Sequence, residues 1–240
     1  MKNITLALAI LPFFASCSSD NAAPNLPASP AETAKLANQV DFNNHSFVLE
    51  YNPDHTLQHA TAENGHYDLS YNNGNISNVS GEMNDEAFDV DFTYAANIIS
   101  GVTINGVSKV VTYNAALKYY EIADNGSQAK MKYLVNDEGD LIEIQSFGSQ
   151  GNFIDGKTYY YDAGQKGPLY NANRVTLQLA IACKKQALYS CSFAGYRPFK
   201  HFAGAHAAPM LMDNTFDTEG YVLGSVENEE NFASFTYTNL

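Results

Sequence analysis

From Asp41 onward, apolar and polar residues alternate in short runs. Phe47-x-Leu49-x-Tyr51, Tyr67-x-Leu69-x-Tyr71 and Phe88-x-Val90-x-Phe92 place apolar side chains at every second position, and Met131-x-Tyr133 continues the series more loosely. A period of two marks a strand with one buried face. The runs end in turn chemistry, as at Asn52-Pro53-Asp54, Asn72-Asn73-Gly74-Asn75 and Asn136-Asp137-Glu138-Gly139-Asp140. Asn, Asp and Gly suit such positions because they tolerate left-handed backbone or bond to it locally. A second alternating stretch follows: Leu57 to Ala60, Ile76 to Val79, Ile98 to Ile104 and Leu141 to Ile144. Tyr51, Tyr71, Phe92, Tyr113 and Tyr133 recur about every 20 residues, the mark of an internal repeat. The pattern predicts a mainly β fold, an antiparallel meander of hairpin repeats over residues 41–240 forming a curved sheet or barrel-like structure.

The repeat breaks after Asp162. Between Arg174 and Cys191, Val175, Leu177, Leu179 and Ile181 alternate as in a strand, whereas Leu177, Ile181, Lys184 and Leu188 fit one helical face. The Ala-Lys-Lys-Gln-Ala composition nearby favours the helix. We therefore expect a helix near 172–190 that plugs or covers one end of the sheet. Gly195, Pro198, Gly204 and Pro209 make 192–214 loop-like, and strands resume over 215–240.

The N-terminus follows a different pattern. Lys2 precedes an apolar run from Ile4 to Phe14, and Phe14-Ala15-Ser16 leads into Cys17. The run is too short to span a bilayer as a helix and has the layout of a removable leader. Residues 1–16 are read as a lipoprotein signal peptide and Cys17 as the lipidated residue. Ser18 to about Val40 contains Pro24, Pro27 and Pro30 and few large apolar residues, so 17–40 is expected to be a flexible linker. Residues 31–39 have the composition of a short helix, with Ser29 as cap and Pro30 in the first turn.

Charge narrows the function classes. The chain carries 13 Lys and Arg against 26 Asp and Glu, a net charge of −13. Loss of the leader removes only Lys2. So acidic a surface argues against nucleic acid as a partner and against a polybasic membrane patch. The aromatic set, 16 Tyr and 14 Phe with no Trp, suits strands in which a ring packs inward and a phenol tip finds a polar partner.

Tyr133-x-x-Asn136-Asp137-x-Gly139-x-Leu141-x-x-Ile144 and Tyr159-Tyr160-Tyr161-Asp162 resemble YD (RHS-type) repeats. Tyr161-Asp162 through Gly167-Pro168-Leu169-Tyr170-Asn171 and Phe216-Asp217-x-Glu219-Gly220-Tyr221 belong to the same comparison. With the leader, these segments resemble a group of uncharacterised Bacteroidota lipoproteins whose domain of unknown function is described as porin-like. The resemblance implies a curved antiparallel sheet or barrel-like meander in an envelope lipoprotein and implies no activity. A membrane barrel needs strands of about 9 to 11 residues with an apolar outer band. The runs here are shorter and flanked by polar turns, so a lipid anchor and not a channel is expected.

Candidate chemistry is sparse. Cys183 and Cys191 form a disulfide or stand as two buried thiols; eight residues of unbroken helix would hold their Cα atoms about 12 Å apart, beyond the roughly 7 Å a bridge allows. His201 and His206, followed by Asp213 and Asp217, match no zinc spacing. The acidic clusters Asp85, Glu86, Asp89, Asp91 and Asp137, Glu138, Asp140 lack the register of a calcium loop. No catalytic residue, metal or cofactor is assigned. The reading is an envelope protein held to the outer membrane by lipid, facing the periplasm or the cell surface, with a glycan or protein partner and a non-catalytic binding or scaffolding role. The alternatives are an envelope glycan or peptidoglycan hydrolase and a small-ligand carrier.

Overall fold

The structure, a computed structural model, describes residues 33–42, 45–183, 194–205, 207–227 and 230–240. Cys17, the leader, Cys191 and His206 lie outside these residues. One 17-stranded antiparallel sheet dominates. Its strands are β1 (Lys35–Phe42), β2 (His45–Tyr51), β3 (Leu57–Ala62), β4 (Gly65–Asn72), β5 (Asn75–Met83) and β6 (Glu86–Ala95). There follow β7 (Ile98–Ile104), β8 (Val107–Asn114), β9 (Tyr119–Asp124), β10 (Lys130–Val135), β11 (Leu141–Phe147) and β12 (Phe153–Tyr161). After helix α1 (Thr176–Ala182) come β13 (Phe199–Gly204), β14 (Ala207–Leu211), β15 (Asp213–Phe216), β16 (Val222–Glu227) and β17 (Glu230–Asn239).

Each strand pairs with the next from β1 to β14 and from β15 to β17, and β1 closes the ring on β17. A closed meander with antiparallel closure requires an even number of strand positions. The odd count is resolved at Met212, where β14 and β15 are two parts of one run. β14 pairs with β13 and β15 with β16, and the Met212 amide still donates to the Lys200 carbonyl at 2.7 Å. Asn214 bridges this handover. Its amide nitrogen donates to the Phe199 carbonyl at 2.9 Å, and its carbonyl accepts from the Ser225 hydroxyl.

The repeat has a specific geometric meaning. At one rim, a one-residue register shift falls just before Tyr51, Tyr71, Tyr94, Val135, Tyr161 and Phe216. These residues then oppose Leu57, Ile76, Ile99, Leu141, Phe199 and Val222, all buried. Such bulges increase twist and are at home at barrel rims. Four of the tyrosines close the rim further by donating to the first carbonyls of a neighbouring strand. Tyr51 reaches Ala37 at 2.6 Å, Tyr71 Leu57 at 2.5 Å, Tyr94 Ile76 at 2.8 Å and Tyr161 Leu141 at 2.6 Å. We call this the tyrosine end. In the third repeat the equivalent residue is Tyr94, not Phe92. Phe92 is a core residue two positions earlier, as are Leu49, Leu69 and Tyr133.

Four sequence expectations change. Residues 192–214, expected to be loop-like, hold β13, β14 and the start of β15, because their backbone pairs with β12 and β16. The strands are not all shorter than a membrane barrel needs: β5 and β12 have 9 residues and β6 and β17 have 10. Lys35–Gln39 lie in β1 and not in a helix or linker, because Ala37 and Val40 are fully buried and both edges of the strand are paired. The helix is shorter than 172–190 within the described residues: it runs Thr176–Ala182, and Cys183 leaves helical backbone at φ −112, ψ 51. It lies within the barrel, touching β5 and β6 on one side and β11 on the other, and Leu179 and Ile181 are buried. Gln178 and the preceding Asn173 bond to the rim hydroxyls of Tyr94 and Tyr71 at 3.3 and 2.9 Å.

Polarity runs from an apolar interior to a charged exterior. Leu49, Tyr67, Val90 and Phe92 point in, while Glu50, Asp68, Asp89 and Asp91 are exposed between them. A lysine on the lipid face of a membrane barrel costs about 2–4 kcal/mol at the midplane, and an acid somewhat less. The outer face of β2, β4 and β6 therefore favours water. Replacing Tyr71 by Phe removes a donor to Leu57 and an acceptor for Asn173, and should cost about 1–2 kcal/mol in urea unfolding. Tyr160→Phe, on a ring 48% exposed, should leave the midpoint unchanged.

Candidate functional site

Most of the described cations gather at the two ends of the barrel. At the tyrosine end they are used internally. Tyr170 and Tyr196 stack at 4.7 Å, Arg174 lies 4.4 Å over Tyr196, and Lys166 lies 4.4 Å over Tyr221. Lys35 sits between Asp217 at 2.6 Å and Glu219 at 2.5 Å. Arg197 reaches Glu138 at 3.4 Å, and Lys118 pairs with Asp137. Asp140, with no exposed surface, accepts the backbone N–H groups of Tyr196 at 2.6 Å and Arg197 at 3.1 Å. The cluster Asp137, Glu138, Asp140 is thus divided: Asp137 pairs with Lys118, while Glu138 and Asp140 pin the 194–198 segment to the turn between β10 and β11.

The other candidate residues are also dispersed. Asp89 and Asp91 accept from Asn78 on the outer face at 2.7 and 2.9 Å. His201 stacks on Tyr160 at 4.7 Å, whereas Asp217 serves Lys35. Among the described residues no group of three or more His, Cys, Asp or Glu is placed to hold a metal. Cys183 is a buried free thiol, and burial pushes it up to about 12, which keeps it protonated and a poor nucleophile.

The opposite rim, the lysine end, holds the more open chemistry. The β9–β10 register sets Lys130 against Ala123 and Lys132 against Glu121. Strand alternation turns these four outward and sends Ile122, Met131 and Tyr133 inward. Lys130 and Lys132 both reach the Glu121 carboxylate, at 2.9 and 3.1 Å. Burial alone would raise the Glu121 carboxyl, but the two ammonium groups outweigh it and hold the group below the usual carboxylate range. The lysines also lie over the Phe147 ring at 5.6 and 5.3 Å, and Phe153 meets that ring edge-on at 5.9 Å. Around them is a groove of about 450 Å³ whose walls include Glu121, Gln128, Lys130, Lys132 and Phe147.

A second cavity, of about 190 Å³, lies on the inner side of the same hairpin. Ile104, Ile122, Met131, Tyr133 and Ile181 line its apolar part, the Lys109–Asp124 ion pair lines its polar part, and Ala123, Lys130 and Phe147 belong to both spaces. An apolar cavity of about 150 Å³ is enough to take a benzene ring. The carboxylates here are committed to lysines, so the arrangement suits binding better than proton transfer. Sequence reading passed over these residues. The available signal was the alternating Lys130-x-Lys132 pair facing an acidic residue across a hairpin.

No protein-family model and no curated protein matches the chain. Among solved structures, the chain is similar to a porin-like protein from Bacteroides vulgatus ATCC 8482, at 12% identity over 86% of this chain and 100% of that one, with a TM-score of 0.48. It is also similar to a porin-like protein from Bacteroides uniformis ATCC 8492, at 12% identity over 89% of this chain and 99% of that one, with a TM-score of 0.32.

Burial raises the Asp140 carboxyl to about 6, against the lowering effect of its two backbone donors. The unfolded chain therefore loses this proton first, and the folded form loses stability as pH rises from about 4 to about 6, by up to about 3 kcal/mol. Asp140→Asn should flatten that part of the stability–pH curve in urea titrations run across the same window.

Proposed function

We propose that this chain is a lipid-anchored envelope protein whose barrel binds a ligand and performs no chemistry on it. The anchor rests on the leader and Cys17, and kinship with YD-type repeats rests on the sequence alone. The binding role is supported above all by one observation: the lysine-end cavities join an apolar floor to a cationic wall, while their carboxylates Glu121 and Asp124 are tied to Lys130, Lys132 and Lys109. Glycoside hydrolysis would instead call for two carboxyls about 5 to 9 Å apart across a cleft, one of them held protonated. Of the roles open to a tethered barrel, small-ligand binding fits an open cleft with these walls better than scaffolding does.

Cys17→Ala should move the protein from the membrane fraction to the soluble fraction; continued membrane association would remove the anchor from this reading. Incubation of the purified protein with envelope polysaccharide and peptidoglycan should release no fragments detectable by mass spectrometry. Fragment release lost on substitution of a carboxylate would replace binding with hydrolysis.

A further inference from the structure

We propose that the groove and the inner cavity of the lysine end form one site for a free anionic amphiphile, with the acidic head at Lys130 and Lys132 and a short apolar end in the cavity. The inference rests on the binding role proposed above and adds the chemical class of the ligand.

Charge supplies the first argument. In a chain with 26 acidic residues against 13 basic ones, two ammonium groups share one carboxylate, Glu121. A ligand carboxylate or phosphate monoester would bring the second negative charge, and Gln128 on the same wall offers a neutral donor. Both ammonium groups already lie over the Phe147 ring, and that of Lys132 also lies over Tyr119 at 4.6 Å, which limits the freedom lost when they engage an anion.

Shape supplies the second. The walls common to both spaces are Ala123, Lys130 and Phe147, and Ala129 borders the inner one. The two alanines leave room at the crossing, so a chain can run from the lysines over the hairpin edge to Ile104, Ile122, Met131 and Ile181. A space of about 190 Å³ accepts one ring or a chain of about six to eight carbons, judged against the benzene-sized precedent. Longer acyl chains exceed it. The Lys109–Asp124 pair that lines the same cavity is matched within itself, so it brings no competing net charge to the ligand's apolar end.

The test uses the full chain carrying Cys17→Ala and monomeric probes in titration calorimetry: octanoate, octyl phosphate, octanol, octylamine and acetate. Octanoate and octyl phosphate should bind saturably at one site. Octanol should bind at least tenfold more weakly, and octylamine and acetate should not bind measurably. Lys130→Gln with Lys132→Gln should weaken octanoate at least tenfold and leave octanol unchanged. Ile122→Phe, which fills the cavity, should weaken both. Should that variant fail to fold, Met131→Phe and a chain-length series from butanoate to dodecanoate replace it, with affinity expected to stop rising near eight carbons. Equal binding of octanol, octylamine and octanoate, or an unaltered octanoate affinity in the double lysine variant, would overturn the proposal. Acetate binding as tightly as octanoate would overturn it in favour of a plain anion site. Co-sedimentation with phosphatidylglycerol vesicles without binding of monomeric octanoate would also overturn it, in favour of a surface contact with lipid headgroups. Absence of binding by every probe ends this proposal alone, whereas fragment release from polysaccharide ends the binding role beneath it.

Discussion

Closure of the tyrosine end is the constraint on which the rest of the barrel depends. A twisted sheet this wide has to bring its first strand back to its last, and each hairpin must lean by the same sense and amount. The bulge before each rim residue supplies that lean. It also turns Tyr51, Tyr71, Tyr94 and Tyr161 inward beside a buried aliphatic or aromatic partner, close enough to donate to a carbonyl near the start of a strand. Those hydroxyls satisfy polar groups at the rim that would otherwise be left against an apolar core. Burial raises Tyr51 and Tyr71 well above the ordinary phenol range, which keeps both hydroxyls as donors at any physiological pH.

Closure has consequences for what fills the middle. A ring with sixteen strand positions would enclose a wide lumen if its section were round. Here large inward side chains and α1 occupy it, with Leu179 and Ile181 carried to the centre by a segment that Asn173 and Gln178 fasten to two rim tyrosines. The polarity is the reverse of a water-filled membrane pore, with the apolar residues inside and the acids outside. An anchor of the kind proposed at Cys17 would do without a spanning barrel. The barrel is left free to present both ends to solvent, and its ends differ: one is consumed in its own cation–aromatic contacts, the other keeps open space.

Much of the fold was legible because hairpin chemistry is local. Alternation and turn residues are read within ten positions, and β2 to β7, β10 and β11 stand where the pattern puts them, whereas β8 is marked only by Tyr113 and β9 by nothing. What was not legible depends on partners distant in sequence. Lys35–Phe42 has a linker-like composition; its second half pairs with the adjacent β2, but its first half, Lys35–Ala37, is held in the sheet by β17, almost the whole chain away. Phe92 and Tyr94 cannot be told apart by spacing alone, since the bulge that separates their roles appears only in the register. The short helix owes its place to burial of Leu177, Leu179 and Ile181, which serve a strand pattern equally well. The candidate site was hidden for a different reason. Its lysines look like ordinary polar positions of a hairpin until Glu121, Phe147 and Ile181 arrive from three other elements.

The continuous run through Met212 carries an implication for how such a barrel changes size. Because closure is antiparallel, the circumference can grow or shrink only in steps of two strands, and one hairpin of the repeat is the smallest such step. A lone added strand would set β1 and β17 in the same direction and open the seam. The run from Ala207 to Phe216 shows how a chain accommodates an extra break without breaking that parity, by letting one strand change neighbours midway. Duplication and loss of whole hairpins would therefore preserve a closed wall, and the recurring tyrosine unit is the natural quantum of that history.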